Sequence, residues 1–291
     1  MKKIFEESEL ILNAEGAIYH LGCKPGEIAE NIIVVGDPKR VNTVSKFFDT
    51  IDFKQENREL VTHTGTLNGK RITALSTGMG PDNIDIVINE LDALFNIDLK
   101  ERVVKDKLTS LNIVRLGTSG SLQPDIPIDS FCMATHGLGI DGVLNFYATP
   151  KGFIDDELTD AFIKHTSWPA DLAKPYIVKG SEKLAKQIGE GFYSGITATA
   201  AGFFGPQGRE LRLGLAYPQF NSLFESFNHK GIKISNFEME TSALYGLGGM
   251  MGHNMLTVCV IIANRIKREY SKDYKPLMEK LVHTVLERLT A

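Results

Sequence analysis

Cysteine is scarce in this chain of 291 residues: there are three, Cys23, Cys132 and Cys259. An odd number at that density offers no disulfide framework, and two of the three lie in apolar strand-like runs where a thiol behaves as a small hydrophobe. Nothing in them demands an oxidising compartment. An excess of basic residues is missing too. A net charge of −4 and a pI near 6.0 argue against a general nucleic-acid binder, which presents a basic face, while leaving room for a local anion pocket. Long uninterrupted apolar runs are also absent. The most apolar long stretch, "SALYGLGGMMGHNMLTVCVIIA", is broken by Gly252-His253-Asn254 and reads as a buried helix followed by a buried strand, not as a membrane span. The opening "MKKIFEESELIL" has two lysines followed by acids, without the apolar core and small-residue cleavage site of a secretory signal, so a cytoplasmic location and no membrane partner are expected. Neither an internal repeat, nor a low-complexity tract, nor a Ser/Gly linker divides the chain. With 43% hydrophobic residues it can bury a large core, and a single domain over residues 1–291 is expected.

What the sequence does contain is alternation. Apolar runs at 32–36, 71–76, 112–117, 130–135, 192–199, 232–238 and 255–263 predict strands, and amphipathic segments at 39–48, 82–95, 155–165, 181–189, 239–251 and 275–290 predict helices. Strands interleaved with helices imply an α/β protein around a largely parallel or mixed sheet, with ligands gathered at the carboxyl ends of the strands. Two polar stretches interrupt the pattern. "LKERVVKDKLTS" at 99–110 reads as a lengthened surface helix or loop, and "NRIKREYSKDYKP" at 264–276 as a solvated connection or a flap over a pocket.

Several strand ends share one chemical character. In "NIIVVGDPKRVNTVSKFF" the strand runs into Gly36-Asp37-Pro38, with Pro38 suited to a first helical turn. Gly36 lets backbone approach a ligand, free N–H groups at the helix start attract anions, and Arg40 adds a charged fork; an ordinary Asp-Pro turn with a solvated Lys-Arg pair is the plain alternative. In "IVRLGTSGSL", Arg115 lies inside an apolar run ahead of Gly117, Thr118, Ser119 and Gly120. A buried arginine needs a carboxylate partner or an anionic ligand, and the small hydroxyl residues beside it tilt toward an oxyanion. "LSTGMGPDN" is a third end of the same type.

Two further stretches carry polar groups of a different kind. "ISNFEMETSALYGLGGMM" brings Glu238 and Glu240 to a strand-to-helix junction, where a carboxylate can grip two vicinal hydroxyls or simply favour the helix N-terminus. "SGITATAAGFFGPQGRELRL" places Phe203 and Phe204 before a Gly-Pro turn and then Gln207 and Arg209. That set can read a flat polar heterocycle, or the aromatics can be core and the polar pair wet.

Taken in order, "YHLG", "VVGDPKR", "STGMG", "RLGTSG", "GFFGPQGR" and "NFEMETSALY" resemble the nucleoside phosphorylases of the uridine phosphorylase type, from about residue 17 to the C-terminus; six motifs in sequence are specific where each alone is weak. The resemblance implies a three-layer α/β/α fold with a central mixed, partly barrel-like sheet. It also implies phosphorolysis of uridine to uracil and ribose 1-phosphate through an oxocarbenium-like transition state without a covalent enzyme intermediate. By motif match, Gly36, Arg40, Arg58, Arg115 and Thr118 hold phosphate, with Arg58 delivered from a neighbouring subunit. His20, also crossing the interface, Met239 and Glu240 hold the ribose. Phe203, Gln207 and Arg209 read the base, and Arg115, Glu240, Gln207 and Arg209 carry the catalysis.

The same resemblance implies a homo-oligomer with composite sites, either a hexamer built as a trimer of dimers or a dimer. The expected substrates are uridine and inorganic phosphate as co-substrate, with no nucleic acid, no cofactor and no metal. Some relatives form a monovalent cation site near the positions of Glu59, Met79 and Asn83, but Pro81-Asp82-Asn83 stands here where many carry Pro-Ser. Phe204 replaces a common tyrosine. Purine-acting relatives carry a Ser-Asp pair after the last strand, and Asn264 and Arg265 take its place. A purine or methylthioadenosine-type phosphorylase or nucleosidase, and a non-enzymatic nucleoside-binding protein, are the alternatives.

Overall fold

The computed structural model describes residues 2–291. The chain opens its regular structure with β1 (Asn31–Val35), α1 (Pro38–Ser45), β2 (Thr50–Asn57), β3 (Leu60–Leu67), β4 (Lys70–Ser76) and α2 (Pro81–Asn96). A small hairpin, β5 (Ile97–Asp98) and β6 (Val103–Val104), precedes β7 (Asn112–Ser121), β8 (Phe131–Gly139), α3 (Asp156–Thr166), β9 (Tyr176–Lys179), α4 (Glu182–Ile188) and β10 (Tyr193–Thr199). The remainder comprises α5 (Phe220–Ser226), β11 (Asn228–His229), β12 (Ile232–Glu238), α6 (Thr241–Met250), β13 (Asn254–Asn264), β14 (Glu269–Tyr270) and α7 (Lys275–Thr290).

β1 shows why the strands form where they do. All but its first residue are buried; Ile32 and Val34 pack on one side of the sheet, Ile33 and Val35 on the other, as the two-residue period of a strand requires. α2 and α6 cover the first side, through Ile84, Val87, Leu91, Ala243 and Leu247 among others. α1, α4 and α7 cover the second, through Val41, Val44, Leu184, Leu281 and Val285. The result is a three-layer α/β/α arrangement. A separate aromatic cluster, Phe162 of α3 with Phe224 and Phe227 at α5, seals the far end against Leu138, Ile196 and Ile234.

The principal sheet runs β11-β12-β10-β8-β13-β7-β1-β4-β3-β2, with β9 on β8 and β14 on β13. β12 also pairs with β7 at Asn236↔Ser121 and Phe237↔Gly120, so β7, β13, β8, β10 and β12 close on themselves as a small barrel. The mixed, partly barrel-like sheet expected from the motifs is therefore present. β4, β1 and β7 are adjacent and parallel, and β13 runs parallel to β7, which brings the carboxyl ends of these strands to one edge of the molecule.

Residues 99–110 take the loop alternative, with only Val103–Val104 in a strand: β6 pairs back on β5, and Lys105 N donates to Asn96 O at 2.8 Å. One expectation changes. The helix expected from 239 begins at Thr241, leaving Met239 and Glu240 at the strand-to-helix junction. Among the described residues no helix is long and apolar enough to cross a membrane. All three cysteines are free and buried.

Candidate active site

At the carboxyl ends of β1, β4, β7 and β12 lies a cavity of about 690 Å³. Its first wall comes from the β1–α1 turn. Asp37 caps α1 by accepting from Lys39 N at 2.9 Å, and Pro38 occupies the first helical position, so the glycine-led turn and Arg40 face the cavity. Gly36 brings the turn close to the β4 end: a Cβ there would sit 3.2 Å from Gly78 O, a tight contact. Burial, opposed by Tyr274 and reinforced by the neighbouring Arg115, lowers the pKa of Arg40, so the two guanidinium groups are close enough to repel each other.

Arg115 projects from β7, 5% exposed. Its Nη2 bonds Glu240, its Nη1 lies 3.2 Å from Glu238 Oε2, and its Nε is buried without a partner among the described residues. Burial works against the charge, but Glu240 and Glu238 outweigh it and raise the guanidinium's pKa above its ordinary value. Space for this side chain depends on Gly117, where a Cβ would fall 2.2 Å from Arg115 Nη1. Thr118, Ser119 and Gly120 continue the wall.

The β4 end contributes Gly78, Met79 and Gly80. Gly80, at φ 100°, turns its N–H onto Glu240 Oε1 at 2.9 Å. Glu240 is 4% exposed; burial pushes its pKa up to about 7, Arg115 working against the shift and Glu238 adding to it. One guanidinium shared by two carboxylates cannot offset such burial. Glu238 accepts from Thr199 Oγ1 at 2.7 Å, Glu240 N at 2.9 Å and Thr241 N at 3.0 Å, so it caps the start of α6.

The third wall is the turn Gly205–Gln207. Gln207, 2% exposed, accepts from Arg209 Nη1 at 2.6 Å, and the Arg209 guanidinium lies 3.8 Å above the ring centre of Phe203. The aromatic pair is half exposed instead of core. One face of Phe203 is taken by Arg209, so the ring supports the guanidinium at the cavity edge, and Phe204 is not among the cavity's lining residues.

The cavity thus joins Gly36, Arg40, Arg115, Thr118, Phe203, Gln207, Arg209, Met239 and Glu240. Two expected residues stay outside it within the chain. Arg58 is exposed at the β2–β3 turn with φ 56°. His20 holds Glu90 Oε1 at 2.6 Å through Nδ1. They are neighbours, because Asn57 Nδ2 donates to His20 O at 2.8 Å. Glu59, Met79 and Asn83 meet at the cavity rim, Asn83 Nδ2 donating to Glu59 Oε1 at 3.3 Å.

The motifs did not single out Phe237, Ile262 and Tyr270, which also line the cavity. Tyr270 arrives because β14 folds back on β13, Ala263↔Tyr270, and the polar stretch that contains it carried the only signal. Asn264 does not face the site. Its Nδ2 donates to Gln123 O and Ile126 O at 3.0 Å, and its Oδ1 accepts from Lys267 N at 2.9 Å.

Comparison with known proteins bears on the family and the fold. A model of the phosphorylase superfamily matches residues 30–290. A uridine phosphorylase of Thermococcus kodakarensis is 29% identical over 280 residues, 94% of this chain and 86% of the relative. A DeoD-type purine nucleoside phosphorylase of Clostridium perfringens is 27% identical over 271 residues, 92% of this chain and 97% of the relative. A solved Trypanosoma brucei nucleoside phosphorylase, described as showing uridine phosphorylase activity, superposes with a TM-score of 0.85 at 28% identity, covering 96% of this chain and 99% of the other.

Proposed function

The chain belongs to the phosphorylase superfamily, and on that premise we propose that it is a uridine phosphorylase, converting uridine and inorganic phosphate to uracil and ribose 1-phosphate. The observation that carries this reading is that one cavity is lined by Arg40 and Arg115, by Gln207 and Arg209, and by Glu240. Arg40, Arg115, Thr118 and the backbone at Gly36 suit a tetrahedral oxyanion, and the partnerless Nε of Arg115 is a donor such an anion would satisfy. Met239 and Glu240 suit the pentose, the carboxylate accepting from its hydroxyls.

A phosphate oxygen then bonds to C1′ as the C1′–N1 bond breaks, and the bonding pair leaves with the pyrimidine. Negative charge spreads over the base carbonyls, where Arg209 and Gln207 stabilise the transition state more than the ground state. The proton released as phosphate becomes an ester balances the one taken up by the departing base. Positioning and electrostatics supply the rate, with no covalent enzyme intermediate.

Purine-type relatives are nearly as similar in sequence, so the choice of base rests on the site. Asn264 and Arg265 stand where those relatives carry a Ser-Asp pair; Asn264 is bonded to backbone away from the cavity, Arg265 Nη2 reaches Gly208 O at 3.5 Å, neither is an acid, and the amide–guanidinium pair of Gln207 and Arg209 suits a pyrimidine edge. The adjacency of His20 and Arg58 on a surface outside their own cavity supports homo-oligomeric, composite sites; a cytoplasmic location and a part in pyrimidine salvage complete the proposal. The test is incubation of purified protein with uridine, thymidine or inosine, with and without phosphate. Uridine turnover that requires phosphate is expected. Base release without phosphate, or preferential inosine turnover, would overturn the reading.

A further inference from the structure

Arg115 and Glu240, which the proposed reaction assigns to different ligands, are bonded to each other. We propose that this ion pair is a latch coupling the phosphate and sugar subsites, and that Glu238 is the positioning residue on which Arg115 pivots when the latch opens. The inference rests on the assignment of Arg115 to the oxyanion and Glu240 to the pentose.

The two carboxylates that share Arg115 are held very differently. Glu238 is tied to several parts of the fold: Thr199 Oγ1 of β10 donates to it at 2.7 Å, and the first N–H groups around α6 donate at 2.9 and 3.0 Å. Thr199 is itself fixed by Ser242 N at 2.9 Å. Ser242 Oγ donates in turn to Asp141 Oδ2 at 2.7 Å, and Tyr176 O–H and Val143 N hold Asp141 Oδ1, each at 2.8 Å. Glu240 has, besides Arg115, one peptide N–H, that of Gly80. In the open state of this latch Arg115 leaves Glu240 for the anion, and the fixed Glu238 carboxylate, 3.2 Å from Nη1, keeps an opposite charge beside it in a buried place where an unpaired guanidinium would be strongly disfavoured.

Linkage follows from this asymmetry. An oxyanion that takes the partnerless Nε of Arg115 together with Nη2 competes with Glu240 for the latter, and sugar hydroxyls compete with Arg115 for Glu240 Oε2. Either ligand opens the pair once, so the second binds without that penalty, and the enhancement must be equal in both directions.

Calorimetric titration of the full-length protein at pH 8, where Glu240 is ionised, tests this with sulfate, a tetrahedral anion the reaction does not consume, and uridine. Uridine is expected to bind about tenfold more tightly in saturating sulfate, and sulfate about tenfold more tightly in saturating uridine. In Glu240→Gln, sulfate alone should bind more tightly than in the unaltered protein and the coupling should fall to about one. In Glu238→Gln, which also removes a carboxylate beside Arg115, sulfate alone should bind more weakly because the pivot is lost. If that variant gives no cooperative melt, Thr199→Val replaces it with the same expected sign. Coupling that persists in Glu240→Gln, or equal tightening of sulfate in both glutamate variants, overturns the latch. The sulfate arm needs no nucleoside, so opposite signs there support the latch even if uridine fails to bind, an outcome that sinks the pyrimidine-nucleoside reading instead.

Discussion

Arg115 shows how much one residue's chemistry depends on the absence of another's side chain. Its guanidinium occupies the volume that a Cβ at Gly117 would need, at 2.2 Å from Nη1. Gly117→Ala is therefore expected to displace the guanidinium, destabilising the fold by about 1–3 kcal/mol and raising KM for phosphate more than KM for uridine; urea denaturation and initial-rate kinetics measure the two effects. Arg209→Ala should do the reverse, cutting uridine turnover by about a hundredfold or more while leaving phosphate affinity nearly intact. Equal loss of both would remove Arg209 from the base subsite.

Glu240 ties that chemistry to pH. Burial raises its pKa from the ordinary 4.5 to about 7. The folded protein thus keeps this proton up to about pH 7, while the unfolded chain releases it near 4.5. The group's contribution to stability is full in acid and is lost as pH rises through 7. Turnover runs the opposite way, because only the ionised carboxylate accepts from two hydroxyls: kcat/KM for uridine should fall below about pH 7 along a one-proton limb, and the residual activity of Glu240→Gln should lack that limb.

At the scale of elements, the strand-to-helix turns were the most legible part of the chain. β1, β4, β7 and β13 are covered on both faces, so they appear as continuous apolar runs, and Pro38 and Pro81 mark the helix starts that follow. Asp37→Ala should destabilise the protein by about 1 kcal/mol, read in the same denaturation series, and raise KM for phosphate because Arg40 lies in the first turn of α1. The hairpin of β2 and β3 was missed, since β2 carries no fully buried residue and its sequence, TIDFKQEN, reads as surface. The β9 strand and the α5 helix escaped for a related reason: each is short, at 4 and 7 residues, and context decides their conformation. The excursion at 264–276 was ambiguous because its residues are polar whether solvated or folded over a site. Strand pairing at Ala263↔Tyr270 makes it a rim of the cavity.

At the scale of the whole molecule, His20 and Arg58 raise the question of what a second chain would contribute. If sites are composite, co-expressed Arg58→Ala and Arg209→Ala chains, each nearly inactive alone, should regain activity in mixed oligomers, because some sites then draw both intact residues. Recovery no greater than the sum of the separate variants would place each site within one chain.

By itself the amino-acid sequence determined the alternation of strands and helices, the glycine-bearing turns at their ends and the kinds of polar group placed there, because apolar period, backbone freedom and side-chain chemistry are local properties. Only the tertiary structure decided that β12 closes onto β7, that Arg115 is divided between Glu238 and Glu240, and that Phe203 braces Arg209. Each of these depends on distances between residues far apart in the chain, and those distances are set by how the layers pack.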